Sequence, residues 1–127
     1  PSKRIKELSA GMKVKYQIAV ALSHNAKLLI FDEPTSGLDP VSREELLSLF
    51  MYLAQTKKIS ILFSTHITSD LEKCADTITY IKDGNLIASM EKMKFIKHFQ
   101  YLKTSSTKPD LTLEEIMIKN ERCSYDF

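Results

Sequence analysis

The 127-residue sequence predicts an α/β fold with a mainly parallel sheet, flanking helices and a helical carboxyl-terminal tail. Two observations lead to this prediction. Strand-like apolar runs alternate with stretches whose apolar residues recur at helical spacing, an order typical of parallel α/β domains. Residues 28–31 are continuously apolar, which predicts a strand that is buried on both faces of the sheet. The length suits one domain or a large part of one.

The first half of the chain alternates helix and strand twice. A first helix is expected from Ser9, a favourable capping residue, to about Ser23. A second helix is expected to begin at Asp39-Pro40, because aspartate suits the cap and proline suits the first helical position. The predicted apolar faces are Val14, Ile18 and Leu22 on the first helix, and Leu46, Leu49, Phe50 and Leu53 on the second. Strands are expected at Leu28 to Asp32 and Ile59 to Ser64.

The second half is predicted to contain a short helix, a hairpin and the helical tail. Asp83-Gly84 is a favourable two-residue hairpin turn. Thr112 and Glu115 have the spacing of a helix capping box. The expected elements are a helix at Thr68 to Ala75, strands at Thr77 to Lys82 and Asn85 to Ser89, a Lys- and Met-rich helix at Met90 to Lys103, and a helix at Leu111 to Lys119. We therefore divide the chain into residues 1–89 and a helical extension, residues 90–127.

Composition excludes some classes of partner and leaves others open. The 18 basic and 16 acidic residues give a net charge of +2, which is too even to favour a nucleic acid or an anionic membrane surface. Cys74 and Cys123 show no CxxC pairing, and unpaired thiols are expected. Because the sequence begins at Pro1 rather than Met, we expect it to be part of a longer protein.

Two adjacent carboxylates end the first predicted strand. Asp32 and Glu33 fall where the strand stops, and open α/β sheets bind ligands at the carboxyl ends of their strands. Neighbouring side chains of an extended segment point to opposite sides, so one carboxylate can hold a metal ion while the other faces a reacting water. A solvated turn that contains two acids explains the pair by itself equally well. His66 follows the second strand as Asp32 follows the first, so parallel pairing would bring it to the same edge.

The start of the first helix is a second candidate site. Ser9 and Gly11 lie at a helix amino terminus, where unpaired N–H groups and the helix dipole favour anions. Glycine also allows the backbone to approach a phosphate closely. The alternative for Ser9, and likewise for Asp39 at the second helix, is an ordinary helix cap.

Four segments in this order resemble the ATP-binding subunit of ABC transporters. They are Leu8 to Met12, similar to the signature motif; Leu28 to Glu33, similar to the Walker B strand with its glutamate; Ser36 to Asp39, similar to the D-loop; and Ser64 to His66, similar to the H-loop. Each motif alone is weak, but all four in order are highly specific. The resemblance covers about Ile5 to Ser89, and its wording is closest to the exporter-like bacterial branch of the family.

The resemblance implies a partial ABC-type P-loop ATPase fold that uses ATP and Mg²⁺ to power transport. Glu33 would be the general base, His66 would contact the γ-phosphate, and Asp32 would support the metal. The signature residues Ser9, Ala10, Gly11 and Met12 would reach ATP held by a second nucleotide-binding domain, with Asp39 at that dimer interface. A membrane-spanning subunit would be the other partner, which implies a cytoplasmic, peripheral location at the inner face of the cell membrane. No nucleic acid is expected.

The sequence departs from the family pattern in three ways. Ala10 replaces the usual first glycine of the signature, and Met12 replaces glutamine. The 127 residues contain no GxxxxGK[ST] segment, the motif whose backbone and lysine cradle phosphates. We therefore expect the chain to be the carboxyl-terminal half of a nucleotide-binding domain. We also expect the isolated 127 residues to be inactive. Two alternatives are an ABC-type ATPase lobe of a DNA repair or chromosome maintenance protein, and a non-catalytic remnant that donates its signature motif in trans.

Overall fold

The computed structural model describes residues 5–103 and 109–122, and within them it has the predicted order of elements. The helices are α1 (Ala10–Ser23), α2 (Pro40–Lys57), α3 (Thr68–Cys74), α4 (Lys92–His98) and α5 (Leu113–Arg122), and the strands are β1 (Leu28–Asp32), β2 (Ser60–Ser64), β3 (Thr77–Lys82) and β4 (Asn85–Glu91). The α/β prediction is therefore confirmed. The chain forms two compact units, Pro1–His66 and Ile67–Phe127. No helix in the described ranges has an apolar stretch long enough to cross a membrane.

The first unit is built on a parallel pair of strands. β1 and β2 pair in register, with Leu28 opposite Ser60 and Asp32 opposite Ser64. The core residues of this unit are Ile18, Leu29, Leu46, Phe50, Leu53 and Ile59, and Val14, Leu22 and Leu49 pack at its margin. The predicted apolar faces of α1 and α2 are thus confirmed.

The prediction that β1 is buried on both faces is wrong for this structure. Leu29 is 5% exposed, but Leu28 and Ile30 on the opposite face are 53% and 68% exposed, and Leu62 of β2 is 59% exposed. The reason is that α1 and α2 both contribute to the core on the Leu29 side. No described element of this unit covers the other face, which we call the open sheet face and define as Leu28, Ile30 and Leu62.

The second unit is a hairpin on which the tail helices pack. β3 and β4 pair antiparallel around Asp83-Gly84, whose φ angles of 49° and 75° are both positive, as in the turns that favour glycine. One core joins the hairpin to the tail: Ile78, Tyr80, Ala88, Phe95, Phe99, Leu111, Leu113 and Ile116. The division of the chain between residues 89 and 90 stays a prediction.

Several bounds in the second unit differ from those predicted: α3 ends at Cys74 rather than Ala75, and α5 spans Leu113–Arg122 rather than Leu111 to Lys119. β4 extends to Glu91, so the helix expected from Met90 starts at Lys92 instead, and a 3₁₀ helix, Phe99–Leu102, completes it. Met90 and Glu91 pair with Ile78 and Thr77 of β3, and this strand pairing overrides the helical pattern. The capping box is found as expected: Thr112 Oγ1 accepts the Glu115 N–H at 3.2 Å, and Glu115 Oε2 accepts the Thr112 N–H at 2.9 Å.

Cys74 is a half-buried free thiol, and Cys123 lies outside the described residues. Burial, followed by the nearby Asp70 charge, raises the pKa of Cys74 to about 11. The thiolate is the reactive form, so Cys74 is an inert packing residue at neutral pH.

Candidate active site at the ends of the parallel strands

The parallel register brings the ends of β1 and β2 together, as the sequence predicts. Asp32 lies opposite Ser64, and Ser64 Oγ donates a hydrogen bond to Asp32 Oδ1. One residue beyond Asp32, Glu33 Oε1 lies 2.9 Å from His66 Nδ1. Asp32, Glu33 and His66 therefore form one cluster with Ser64 at the carboxyl edge of the sheet. This is the edge where open α/β sheets bind ligands.

Glu33 has an unusual backbone conformation. Its φ of 47° lies in the left-handed region, which costs a residue other than glycine about 1–3 kcal/mol. Its N–H donates to both the carbonyl oxygen and the hydroxyl of Ser64, each at 3.1 Å, and its carbonyl accepts the Ser36 N–H at 3.1 Å. These contacts hold the sharp turn that directs the glutamate away from the strand.

The two carboxylate oxygens of Glu33 have different surroundings. Oε1 contacts His66, whereas Oε2 is buried and has no hydrogen-bond partner among the described residues. A buried acceptor without a donor is costly, so Oε2 adds to the strain of the Glu33 turn.

A cavity of about 390 Å³ adjoins the carboxylates, a volume typical of small-ligand pockets. It lies between the start of α1 and the turn that follows β1. Its lining residues are Ala10, Val14, Gln17, Ile30, Phe31, Asp32, Glu33, Pro34, Ser36 and Leu38. Within one unit, the first turn of α1, Asp32 and Glu33 therefore line the same space.

The donor set fits a magnesium ion that is bound together with a phosphate ligand. Carboxylate oxygens are hard donors, and Mg²⁺ is usually held by one or two carboxylates, waters and substrate phosphates. Among the described residues, no group of three or more His, Cys, Asp or Glu could hold a metal ion. Asp32 is suited to contribute one ligand, and the remaining ligands would come from water and phosphate oxygens.

The start of α1 is held by its cap and packed against α2. Ser9 Oγ accepts the Met12 N–H at 3.3 Å, and its carbonyl accepts the Lys13 N–H at 2.9 Å, so the capping alternative for Ser9 is confirmed. Gly11 is buried, and a Cβ atom added to it would lie 3.3 Å from Ser42 Cβ. The close approach that Gly11 permits in this structure is therefore between two helices. Phosphate binding by the signature residues stays a prediction.

Asp39 caps α2. Its Oδ1 accepts the N–H groups of Val41 and Ser42 at 3.1 and 3.0 Å. Hydrogen bonds from Ser42, first from its side chain and then from its backbone, hold the pKa of the exposed Asp39 carboxyl below its ordinary value of 3.8. The capping role is confirmed, whereas the role at a dimer interface stays a prediction.

Ser64 is the site residue whose role the sequence reasoning missed. Ser64 was predicted to lie in the segment that resembles the H-loop, but no chemical role was assigned to it, because a serine at the end of a strand is common. The available signal was its position at the end of a strand that was expected to pair with the strand of Asp32. A carboxylate there needs a donor, and a neighbouring hydroxyl supplies one.

Comparisons with known proteins show what the chain is similar to. A family model described as "AAA domain, putative AbiEii toxin, Type IV TA system" matches residues 4–69. The chain is 34% identical over 117 residues to the bacitracin transport ATP-binding protein BcrA of Bacillus licheniformis, which covers 89% of this chain and 38% of that protein. It is 40% identical over 87 residues to the lantibiotic transport ATP-binding protein SrtF of Streptococcus pyogenes, which covers 68% of this chain and 38% of that protein.

A solved structure shares the fold. It is a dimer of the ATP-binding cassette MJ0796 in a post-hydrolysis state with bound ADP and Pi, which superposes with a TM-score of 0.58 at 27% identity and covers 68% of this chain and 37% of that chain. This chain thus spans less than two fifths of the length of BcrA, of SrtF and of MJ0796. The match to BcrA includes part of the tail, because 117 aligned residues exceed the 89 residues that precede it.

Proposed function

Because the chain belongs to the family of ABC transporter ATP-binding proteins and has part of an ABC ATPase fold, we propose that it works as part of an ATP-hydrolysing subunit that powers transport. The observation that best supports hydrolysis is the Glu33–His66 pair beside Asp32. The relatives' names mention bacitracin and lantibiotic transport, which supports a transport role but leaves this chain's substrate open.

In this proposal Glu33 is the general base. His66 lies 2.9 Å from Oε1 and holds the carboxylate in place for the attacking water. A positioned base typically contributes about 10²–10⁴ to the rate. When bound, ATP supplies the phosphoryl group, and Mg²⁺ supplies positive charge that offsets the negative charge of the phosphate oxygens. His66 additionally contacts the γ-phosphate in the proposal, and Asp32 holds the metal.

The residues at the start of α1 and α2 would serve the partner subunit. Ser9, Ala10, Gly11 and Met12 would offer the positive end of α1 to ATP held by a second nucleotide-binding domain. Asp39 would lie at that interface. A membrane-spanning transporter subunit would be the second partner. It would place the protein at the inner, cytoplasmic face of the cell membrane.

The isolated 127 residues are proposed to be inactive. They contain no GxxxxGK[ST] segment to grip the β- and γ-phosphates. The open sheet face next to Asp32 supports this proposal, because it is an apolar surface on which a further segment of an ATPase domain would pack. Binding of Mg-ATP by the isolated chain at micromolar concentration would contradict it.

The test is ATP hydrolysis by the polypeptide isolated from its own cells with an antibody to this region. We expect Mg-dependent hydrolysis that Glu33→Gln lowers about 10²–10⁴-fold, with ATP binding retained. Glu114→Gln makes the same change of charge in α5 and is expected to leave the rate unchanged.

Loss of activity in both variants, or in neither, would reject Glu33 as the base. If the isolated polypeptide does not hydrolyse ATP but stimulates ATP hydrolysis by an intact partner, the chain would be identified as a donor of its signature motif. BcrA and SrtF are both transport proteins, so neither relative favours a DNA repair or chromosome maintenance role.

A further inference from the structure

We propose that Ser64 is a positioning residue for both carboxylates of the site. This inference rests on the proposed function, because positioning matters only if Asp32 and Glu33 act on a bound nucleotide. A single hydroxyl connects the two acids: it donates to Asp32 Oδ1 and accepts the Glu33 N–H at 3.1 Å. Ser64 thereby links the residue proposed to hold the metal with the residue proposed to activate water.

The first consequence concerns the backbone of Glu33. Its φ of 47° is unfavourable for a residue with a Cβ atom, so the surroundings must hold it. The Ser64 carbonyl and hydroxyl both accept the Glu33 N–H. Without the hydroxyl, one of these two acceptors is lost, and the strained turn is free to relax toward negative φ. The Glu33 side chain would then leave His66.

The second consequence concerns Asp32. The donated hydrogen bond fixes one of its carboxylate oxygens and thereby the plane of the carboxylate group. A carboxylate that rotates freely binds a metal less well than one that is held, because ordering it costs conformational entropy. Loss of the hydroxyl should therefore raise the Mg²⁺ concentration that is needed for half-maximal ATP hydrolysis.

The first measurement uses the 127-residue chain and needs no nucleotide. NMR three-bond couplings and carbon shifts report the φ angle of Glu33. The variants are Ser64→Ala, Ser64→Thr, which keeps the hydroxyl, and Ser64→Val, which matches threonine in shape but has no hydroxyl. Ser60→Ala is the matched control, because Ser60 lies on the same face of β2, opposite Leu28. We expect positive φ in the wild type, Ser64→Thr and Ser60→Ala, and a shift toward negative φ in Ser64→Ala and Ser64→Val.

The second measurement uses the polypeptide isolated from its own cells. We expect Ser64→Ala and Ser64→Val to lower kcat and to raise the Mg²⁺ concentration for half-maximal rate, each about tenfold, the size of one charge-assisted hydrogen bond. The KM for ATP should stay within about twofold, since uniform binding is not affected. Ser64→Thr should keep both parameters near their wild-type values, because it keeps the hydroxyl. A role in packing alone would not separate Ser64→Thr from Ser64→Val, since the two side chains have the same shape.

The outcomes separate this inference from the proposed function. If the wild-type protein hydrolyses no ATP, the proposed function fails and this inference fails with it, even though the NMR result still shows whether the hydroxyl holds the turn. If the wild type hydrolyses ATP but Ser64→Val keeps positive φ at Glu33 and the wild-type Mg²⁺ response, the proposed function stands and the role of Ser64 is overturned. If Ser64→Ala does not fold, the comparison of threonine with valine decides the question.

Discussion

At the scale of single residues, the site is shaped by a strained glutamate and the contacts that hold it. Glu33 keeps a left-handed backbone at a cost of about 1–3 kcal/mol, and its side chain contacts His66. Such strain persists when surrounding contacts determine the conformation, and here Ser64 and Ser36 supply them. The arrangement holds one oxygen of Glu33 against His66 and leaves the other buried without a hydrogen-bond partner among the described residues.

If His66 acts through Glu33, the effects of replacing the two residues are not additive. We expect His66→Ala alone to lower the rate of ATP hydrolysis at least tenfold, because the fixed oxygen loses its partner. In the Glu33→Gln background the same replacement should have much less effect. The measurement is kcat for the four members of the double-mutant cycle, with His24→Ala at the end of α1 as the control. Fully additive losses would mean that His66 acts independently of Glu33.

Asp39 gives a prediction about pH and stability. Its folded-state pKa lies below 3.8, so its contribution to stability is present above the unfolded-state pKa and is lost as pH falls through the folded-state value. Wild-type protein should therefore lose stability on acidification below about pH 5 to a greater extent than Asp39→Asn. Thermal unfolding followed from pH 6 to pH 2.5 measures this. A difference in Tm between the two proteins that does not change with pH would contradict the assignment.

The convergence of Asp32, Glu33 and His66 could be predicted from the sequence, whereas the details of the site could not. Parallel strands end at a common edge, so polar residues at their ends must meet there. The φ angle of Glu33 and the two hydrogen bonds of the Ser64 hydroxyl depend on the register of β1 against β2 and on side-chain rotamers. Neither is encoded in a local pattern of residue types.

At the scale of elements, local signals were reliable and packing signals were not. The caps Ser9 and Asp39 and the Thr112–Glu115 box were predictable because each depends on residues within four positions of one another. The burial of β1 and the start of α4 depend on what packs against them. The apolar run 28–31 therefore predicted a strand correctly, but it also predicted that both faces are buried, whereas the face of Leu28 and Ile30 is exposed.

The contact between α1 and α2 at Gly11 can be tested by a double-mutant cycle. Alanine at Gly11 gains up to about 1 kcal/mol of helix propensity but crowds Ser42, whose Cβ would lie 3.3 Å away. We expect Ser42→Gly to be less destabilising in the Gly11→Ala background than in the wild type, by about 0.5–1 kcal/mol. Urea unfolding of the four proteins measures the coupling free energy.

The control for this cycle pairs Gly11→Ala with Ser60→Gly, since Ser60 lies on β2 and the nearest neighbours of a Cβ at Gly11 belong to Ser42 and Leu38. Their effects should add within about 0.5 kcal/mol. A Gly11–Ser42 coupling free energy of zero would mean that a methyl group at position 11 does not crowd Ser42. The contact between α1 and α2 would then give no reason for glycine at this position.

At the scale of the whole molecule, the order of elements was predictable, but the grouping into units was not. Helix, strand and hairpin signals follow one another along the chain, so the order can be derived from local patterns. The units, Pro1–His66 and Ile67–Phe127, depend on which apolar faces meet in space. The tail shares its core with the hairpin, through Phe95 and Ile116 among others, and composition alone did not indicate that.

The open sheet face gives a prediction about the whole protein. Ile30 and Leu62 are 68% and 59% exposed, so Ile30→Thr and Leu62→Thr should each change the free energy of unfolding of the 127-residue chain by no more than about 0.5 kcal/mol. If the polypeptide in its own cells covers this face, the same substitutions should cost about 1.5–3 kcal/mol there, because each side chain is then buried. Leu29→Ala, at a site 5% exposed, should cost about 2–5 kcal/mol in both. Denaturant unfolding of both proteins makes the comparison, and small effects of Ile30→Thr and Leu62→Thr in both would mean that this face stays open in the polypeptide from the cells.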